Sequence, residues 1–398
     1  MTVRQRGISR HVVRFTSRDG VLYALKELPA ALAERELRLL RRLAAESVPV
    51  VEVVGIVTDR GRHRADDGSE DDLDAVLITS YLDFSLPYRS LFFSRAAPDL
   101  VDRLLDALVE LLVRLHLVGF FWGDCSLSNT LFRRDAGALA AYLVDAETAE
   151  VHPGLTDGQR LYDLALAEER VAGEMMDLAA AGTGVPGAGA DDLDPVETAN
   201  EVVRRYSGLW AELTREEVLV GGDQHRIETR IRRLNQLGFD VGEVTLVSDG
   251  TGDRLRLTTQ VVEPGHHRRM LFVHTGLDVL ENQARRLLND IATYRGALER
   301  REGRPVLPAV AANRWLAEVF EPAIGAVPPR LRHKLEPAEL YHQIIDHRWF
   351  LSEAMGHDVG TANATRSFVE TVLPWIPDER TILAASPAPP RGGSGPAG

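Results

Sequence analysis

The sequence predicts an α+β protein, a two-lobed domain followed by a smaller α+β domain, on three observations. β-rich segments at 11–16, 21–28, 50–58 and 75–82 accompany one amphipathic helix at 30–45. A long helix with a single apolar stripe, 99–116, runs straight into a polar loop. From Val218 onward the pattern changes to a basic helix followed by new strands and helices. The expected boundaries are 1–217 for the two-lobed domain, with lobes at 1–82 and 83–217, then 218–385 for the second domain and 386–398 for a disordered tail.

Each element has its own warrant. The strands HVVRFT and VLYALKEL flank SRDG, a turn sequence. Residues 30–45 interleave Leu32, Leu39, Leu40 and Leu43 with charges, as a half-buried helix does. The segment between the strands at 50–58 and 75–82, DRGRHRADDGSEDDLD, is charged and reads as a loop. In 99–116, Leu100, Leu104, Leu108, Leu111, Leu112 and Leu115 recur at three- and four-residue steps and bury one stripe. Short strands at Thr130–Phe132 and Ala141–Val144 surround an Asp-Ala-Gly turn. Helices at 158–180 and 195–215 follow, separated by a Gly/Ala/Pro linker. Beyond Val218 the reading is a basic helix at His225–Leu237 and strands near Glu243–Val247, Leu255–Val262 and Met270–His274. Helices are read at 277–294, 311–320, 337–355 and 364–373. The Pro/Gly-rich end cannot build a core.

Composition narrows the class. At 398 residues and 44% hydrophobic content the chain can fill two cores. A net charge of −13 disfavours nucleic acid as a general partner. The polar start MTVRQRGISRH lacks the apolar centre of a signal peptide, and no run of 18 apolar residues spans a membrane. The single cysteine, Cys125, has no disulfide partner and fits a reducing cytoplasm. Only Lys26 and Lys334 are lysines among 46 basic residues, so a lysine here marks a place where a compact point charge is wanted over a planar fork.

The chemistry-bearing residues then fall into an order. Strand alternation puts Lys26 on one face with Leu22, Ala24 and Leu28. A lysine on an apolar face needs an anionic partner or ligand, because an unpaired buried charge costs several kcal/mol, roughly. Glu34 and Glu36 on the next helix can both reach back to it; Glu36, ahead of the apolar run, is the preferred partner. Asp124 follows a Trp-Gly turn at the end of the long helix, where an acceptor hydroxyl can approach. Asn129 comes five residues later, and Asp145 ends the apolar strand AYLV. A base, two hard oxygen donors and a phosphate-binding cation are what phosphoryl transfer from Mg-ATP requires.

The order Ala-Leu-Lys, Glu, Gly-Asp-x4-Asn, Val-Asp resembles the protein-kinase-like fold. Within it, Gly-Asp with a non-arginine neighbour and Asp145-Ala146-Glu147 in place of Asp-Phe-Gly resemble lipopolysaccharide (Kdo) kinases and aminoglycoside or choline phosphotransferases. RGISRHVVRF, LHLVGFFWGDCSLSNTLFRRDAG and YLVDAETAE also look like a high-GC bacterial family in which such a domain precedes a C-terminal domain of unknown function (DUF4032). The kinase resemblance covers residues 1–215 and implies ATP and Mg²⁺ as cofactors. It implies Lys26 held by Glu36 as the phosphate clamp, Ala24 beside the adenine, Asp124 as base or orienter, and Asn129 and Asp145 as metal ligands. Asp163 resembles the aspartate that braces the catalytic loop from a later helix.

Departures qualify the resemblance. The usual Gly-rich loop is reduced to Arg6-Gly7-Ile8-Ser9-Arg10, so Ser9, Arg10 or backbone N–H groups are expected to meet the phosphates. Trp122 stands where a histidine is usual. Little chain separates Asp145 from Asp163, and no Ala-Pro-Glu occurs, which favours a small-molecule, glycan or lipid hydroxyl as acceptor over protein. Two alternatives stay open: a catalytically weak or inactive kinase-like scaffold that binds nucleotide, or nothing, and acts through its C-terminal domain, where a protein partner would bind, and an AMP transferase on the same site. Cys125 reads as a buried loop cysteine rather than a reactive thiol. The basic clusters His266–Arg269 and Arg226/Arg230/Arg232/Arg233 read as solvated faces ahead of phosphate or partner sites. His342, Asp346 and His347 lack the further ligands of a zinc site.

Overall fold

The protein is described by a computed structural model over residues 11–64, 70–72, 74–93, 99–180, 194–214, 217–220, 239–248, 254–376 and 378. The expected linker, the basic helix with its four arginines and the C-terminal tail lie outside the described residues. The first lobe is an antiparallel sheet backed by one helix. Strands β1 (Val13–Arg18) and β2 (Val21–Leu28) are joined by Asp19-Gly20, both at positive φ (54° and 80°), the geometry of a tight hairpin turn. Helix α1 (Ala30–Ala45) follows, then β3 (Val53–Val57), a small hairpin of β4 (Arg62–Arg64) and β5 (Glu70–Asp72), and β6 (Ala75–Ser80). The sheet order β1-β2-β6-β3 places Lys26 of β2 opposite Val13 and Leu77, and Ala24 opposite Phe15 and Thr79. Helix α1 buries Ala33, Glu36, Leu40 and Leu43 on one face, a stripe of apolar residues interrupted by one carboxylate.

The second lobe is built around α3 (Leu100–Leu117), which follows β7 (Ser85–Pro87) and the short α2 (Tyr88–Phe93). All six leucines of its predicted stripe are buried, each contributing roughly 1.5–3 kcal/mol, so packing rather than propensity holds this helix. Strand β8 (Phe120–Phe121) leads into the polar loop; β9 (Thr130–Asp135) and β10 (Ala138–Leu143) form the hairpin beyond it. Strand β11 (Glu150–Val151) pairs with β8, and helices α4 (Asp157–Ala180) and α5 (Pro195–Thr214) close the lobe. One apolar core runs from Leu28 to Leu213.

The chain between α1 and β3 ties the lobes together. The Leu143 N–H donates to the Pro49 carbonyl (3.0 Å) and the Val51 N–H to the Leu143 carbonyl (3.1 Å), a parallel bridge that shortens the expected strand at 50–58. It pins the end of β10 just before Asp145.

The C-terminal part is α+β. A sheet ordered β12-β14-β13 comprises β12 (Glu217–Val220), β13 (Phe239–Ser248) and β14 (Arg254–Pro264). Helices α6 (His266–Thr275), α7 (Glu281–Glu302), α8 (Pro308–Trp315), α9 (Glu321–Gly325), α10 (Pro337–Met355) and α11 (Thr361–Thr371) follow. Asp290 accepts the Trp315 indole N–H and the Tyr341 hydroxyl, both at 2.6 Å, within an apolar core. Two expectations are corrected. The charged segment between β3 and β6, read as a loop, carries the paired strands β4 and β5. Met270–His274 is helix, not strand, because Gly265 (φ 100°) breaks away from β14 and Gly276 (φ 74°) ends a continuous ten-residue helix.

The Asp-Ala-Gly turn does more than reverse the hairpin. Its Asp135 is buried and accepts the N–H groups of Asn282 (3.1 Å) and Gln283 (2.7 Å), capping α7 from another part of the chain. The Ala136 N–H donates to Glu339 (3.0 Å), and Arg133 pairs with Glu336 (2.7 Å). The hairpin tip is thus seated among the C-terminal helices. Among the described residues no helix is long and apolar enough to cross a membrane.

Candidate active site

Three remote segments meet at Lys26. Its Nζ lies 2.9 Å from Glu36 Oε2, 2.8 Å from Asp145 Oδ2 and 3.8 Å from Glu147 Oε2. Glu36 is fully buried, and burial pushes its pKa up to about 7 while Lys26 pulls against that shift. Burial on its own would lower the Lys26 pKa; the charges of Glu36 and Asp145 outweigh it and hold the amine above its ordinary value. All three residues of Asp-Ala-Glu take part. The Ala146 N–H faces Glu36 Oε1 (3.4 Å), and Glu147 binds His11 Nε2 (2.8 Å). The choice between Glu34 and Glu36 is resolved: Glu34 lies at the surface beside Arg38, 3.9 Å away.

The polar loop brings Asp124 and Asn129 together. The Asn129 amide nitrogen donates to the Asp124 carbonyl and to Oδ2, both at 3.1 Å. Arg170 Nε reaches Oδ1 of the same carboxylate at 3.1 Å. Gly123 sits at φ 75°, where an added Cβ would meet the Thr148 carbonyl oxygen and the Phe121 ring at 3.2 Å, so the turn before Asp124 requires glycine. Trp122, in the place where a histidine was expected, is buried and donates its indole N–H to the Asp145 carbonyl (3.1 Å), linking loop and strand end.

One helix holds the whole loop. Asp163 of α4 accepts the N–H groups of Trp122 (2.7 Å) and Gly123 (2.8 Å), the bracing role its resemblance implied. It also meets His116 Nε2 (3.0 Å), whose Nδ1 is 2.6 Å from the Tyr206 hydroxyl; burial lowers the pKa of that imidazole. Seven residues on, Arg170 binds Asp124; four further, Glu174 accepts the Leu127 (2.7 Å) and Ser128 (2.9 Å) N–H groups. Steps of seven and four keep these side chains on one face of α4. Arg170 and Glu174 were missed in the sequence. A charged residue in register with the buried stripe Leu164, Ala167, Val171 and Met175 was the available signal, since it borders the packed face of α4.

The donor set suits magnesium. With its nitrogen on Asp124, Asn129 keeps its carbonyl oxygen as a hard donor, and Asp145 supplies a carboxylate. One or two such protein ligands, completed by water and phosphate oxygens, are typical of Mg²⁺. Ala24 lies two residues before Lys26 on β2, while Ser9 and Arg10 lie outside the described residues. Burial raises the Cys125 thiol well above its ordinary value, which makes it an inert packing residue. In the basic cluster after β14, His267 binds Glu281 (2.6 Å) and Arg268 binds Asp278 (2.6 Å). His342 pairs with Asp346 (3.2 Å).

No curated protein matches the chain. Among solved structures, WaaP in complex with acyl carrier protein is similar at 18% identity, over 52% of this chain and 88% of that one, with a TM-score of 0.31. Residues 208–373 match a domain of unknown function, DUF4032. Residues 2–173 match the phosphotransferase enzyme family, and with the Lys26–Glu36–Asp145 geometry this gives the N-terminal part a kinase-like phosphotransferase fold.

Proposed function

We propose that the protein transfers the γ-phosphoryl group of ATP to a hydroxyl of a small molecule, glycan or lipid. The observation that carries this reading is Lys26 Nζ seated between Glu36 and Asp145, at 2.9 and 2.8 Å. A buried cation shared by two carboxylates from α1 and the end of β10 is poised to take phosphate oxygens. Glu36 would hold the amine in place while Asp145 turns to the metal. Asn129 and Asp145 would hold Mg²⁺, which supplies neutralisation of phosphate charge. Ala24, two residues before Lys26 on β2, would lie beside the adenine. Asp124 would orient the acceptor hydroxyl and accept its proton as the new O–P bond forms and the bond to the β,γ-bridging oxygen breaks, leaving ADP. Chain passes from Glu147 through β11 to α4 by Asp157, which leaves no long segment to grip a peptide acceptor.

A scaffold reading is favoured by one observation. Asp124 carries a hydrogen bond from Asn129 on Oδ2 and the partly offsetting charge of Arg170 at 3.1 Å from Oδ1, which weakens it as a base. Thermal-shift titration with Mg-ATP separates the two readings at the nucleotide: wild type should be stabilised and Asp145→Ala should not. An unresponsive wild type would leave the scaffold alone. Incubation with γ-labelled ATP and lysate fractions of protein, lipid and small molecules should then label a non-protein fraction. Asp124→Asn should lower that incorporation by about 10²–10⁴-fold.

A further inference from the structure

The pair between Arg170 and Asp124 is not an ordinary structural ion pair. Arg170 Nε lies 3.1 Å from Asp124 Oδ1 as an ion pair without a hydrogen bond, and its side chain is 51% exposed. Among the described residues its two terminal nitrogens meet no acceptor. A guanidinium offers five donors in a fork shaped for a carboxylate or phosphate, so a one-atom contact leaves most of its binding capacity unused. An ion pair this open to water is worth about 0–1 kcal/mol and is easily exchanged for a better one. Asp124 stands ready beside it. Its Oδ2 accepts from the Asn129 amide, while Oδ1 faces the guanidinium without accepting a hydrogen bond and keeps its lone pairs for an incoming hydroxyl.

We infer that Arg170 is the acceptor-recognition residue: it binds an oxyanion, phosphate or carboxylate, carried by the acceptor next to the attacked hydroxyl, and so sets that hydroxyl against Asp124 Oδ1. The inference rests on the phosphotransferase reading. The acceptor anion takes guanidinium donors that Asp124 leaves unused, and the acceptor O–H donates to Asp124 Oδ1. In the transfer, the acceptor oxygen bonds to the γ-phosphorus, its proton passes to Asp124, and ADP leaves with the electrons of the broken P–O bond. A neutral polyol offers the hydroxyl but no anion for Arg170 to hold, so nothing sets that hydroxyl against Asp124. Discrimination would come from leaving a guanidinium without its bidentate partner. The surroundings support an acceptor here. Phe121, three residues before Asp124, stacks with the exposed Tyr162 (centroids 6.1 Å apart) and offers an aromatic shelf beside the loop.

Three probes sharing one hydroxyl scaffold test this: glycerol, glycerate and glycerol phosphate. The readout is the Arg170 side-chain Nε–H resonance of the full chain, assigned by its absence in Arg170→Gln. Glycerate or glycerol phosphate should shift that resonance saturably in the millimolar range, and which of them binds tighter identifies the anion. Glycerol and sodium chloride of equal ionic strength should not shift it. Binding measured by calorimetry should be about tenfold to a hundredfold weaker in Arg170→Gln, the loss expected for a charge-assisted hydrogen bond, and partly restored in Arg170→Lys. Failure of both anions to shift the resonance, or an equal shift with chloride, overturns the inference. The Mg-ATP titration runs in parallel. Nucleotide binding without an Arg170 response sinks this inference alone; an Arg170 response without nucleotide binding sinks the phosphotransferase reading and leaves an anion site.

Discussion

Glu36 and Asp135 are both buried, both join distant stretches of chain, and both have a pKa pushed up to about 7 by burial. They differ in what faces them. Glu36 has a cation, Lys26, which also touches Asp145 and can exchange partners. Asp135 has the Asn282 side-chain amide (3.1 Å) and the backbone N–H groups of Asn282 and Gln283 (3.1 and 2.7 Å), and these backbone donors cannot leave without unwinding the first turn of α7. A mobile charged partner serves chemistry; fixed neutral donors serve assembly. The two carboxylates flank opposite ends of the β9–β10 hairpin, with Glu36 near its base at Asp145 and Asp135 at its tip.

If that division is right, substitutions at the two ends should fail in different assays. Lys26→Met should lower turnover by about 10²–10³-fold, as loss of one electrostatic stabiliser does, and abolish stabilisation by Mg-ATP. Hydrogen exchange at the Asn282 and Gln283 amides should be unchanged, since the tip is untouched. Asp135→Ala should do the reverse. It leaves buried donors unpaired and removes a helix cap, a loss of about 2–4 kcal/mol in urea unfolding, with faster exchange at those two amides. Mg-ATP should still stabilise the variant. Loss of both responses together would merge the two regions into one functional unit.

The sequence was legible where chemistry imposes a strict order. Lys26, Glu36, Asp124, Asn129 and Asp145 could be picked out because each is a polar residue placed where an apolar strand, helix or turn makes it expensive. Most helices were legible for the same reason, since their stripes have one period. Asp135 was not. It stands in Asp-Ala-Gly, where turn chemistry already accounts for an aspartate, and its partners lie some 150 positions away with no local pattern to announce them. Arg170 was hidden differently, as one of 44 arginines in a chain with two lysines. The Met270–His274 error came from reading five apolar and β-favouring residues without the glycines at 265 and 276 that bracket them.

pH sharpens the comparison. Asp135 ionises near 3.8 in the unfolded chain but near 7 when folded, so its proton stabilises the fold below about pH 4 and that contribution is lost as pH rises through 7. Glu36, raised from 4.5 to about 7, acts in the same direction. Unfolding free energy should therefore decline by up to about 1.4 kcal/mol per pH unit for each group across this window, and Asp135→Asn should halve the slope. Turnover should move the opposite way. It should rise through pH 7 as Glu36 loses its proton and engages Lys26, and Asp135→Asn should leave that limb in place. A turnover limb that moved with Asp135→Asn would assign it to the tip.

The smallest expected effect is the most discriminating. Gly137 closes the hairpin at φ 89°, and an added Cβ would meet only Arg286 and His342, at 3.6 and 3.7 Å, which is ordinary contact. Gly137→Ala therefore strains the backbone without displacing a neighbour, at a cost of about 1 kcal/mol. The hairpin base has its own anchors. The Leu143 N–H is on Pro49, the Val51 N–H on Leu143 and the Val144 N–H on the Asn129 carbonyl, at 3.0–3.1 Å. Strain at the tip should stop there, so Gly137→Ala should lower thermal stability and leave kcat and the Mg²⁺ dependence of turnover unchanged. A fall in Mg²⁺ affinity with that single methyl group would mean that the tip sets the spacing of Asn129 and Asp145. The C-terminal helices would then be part of the site rather than its support.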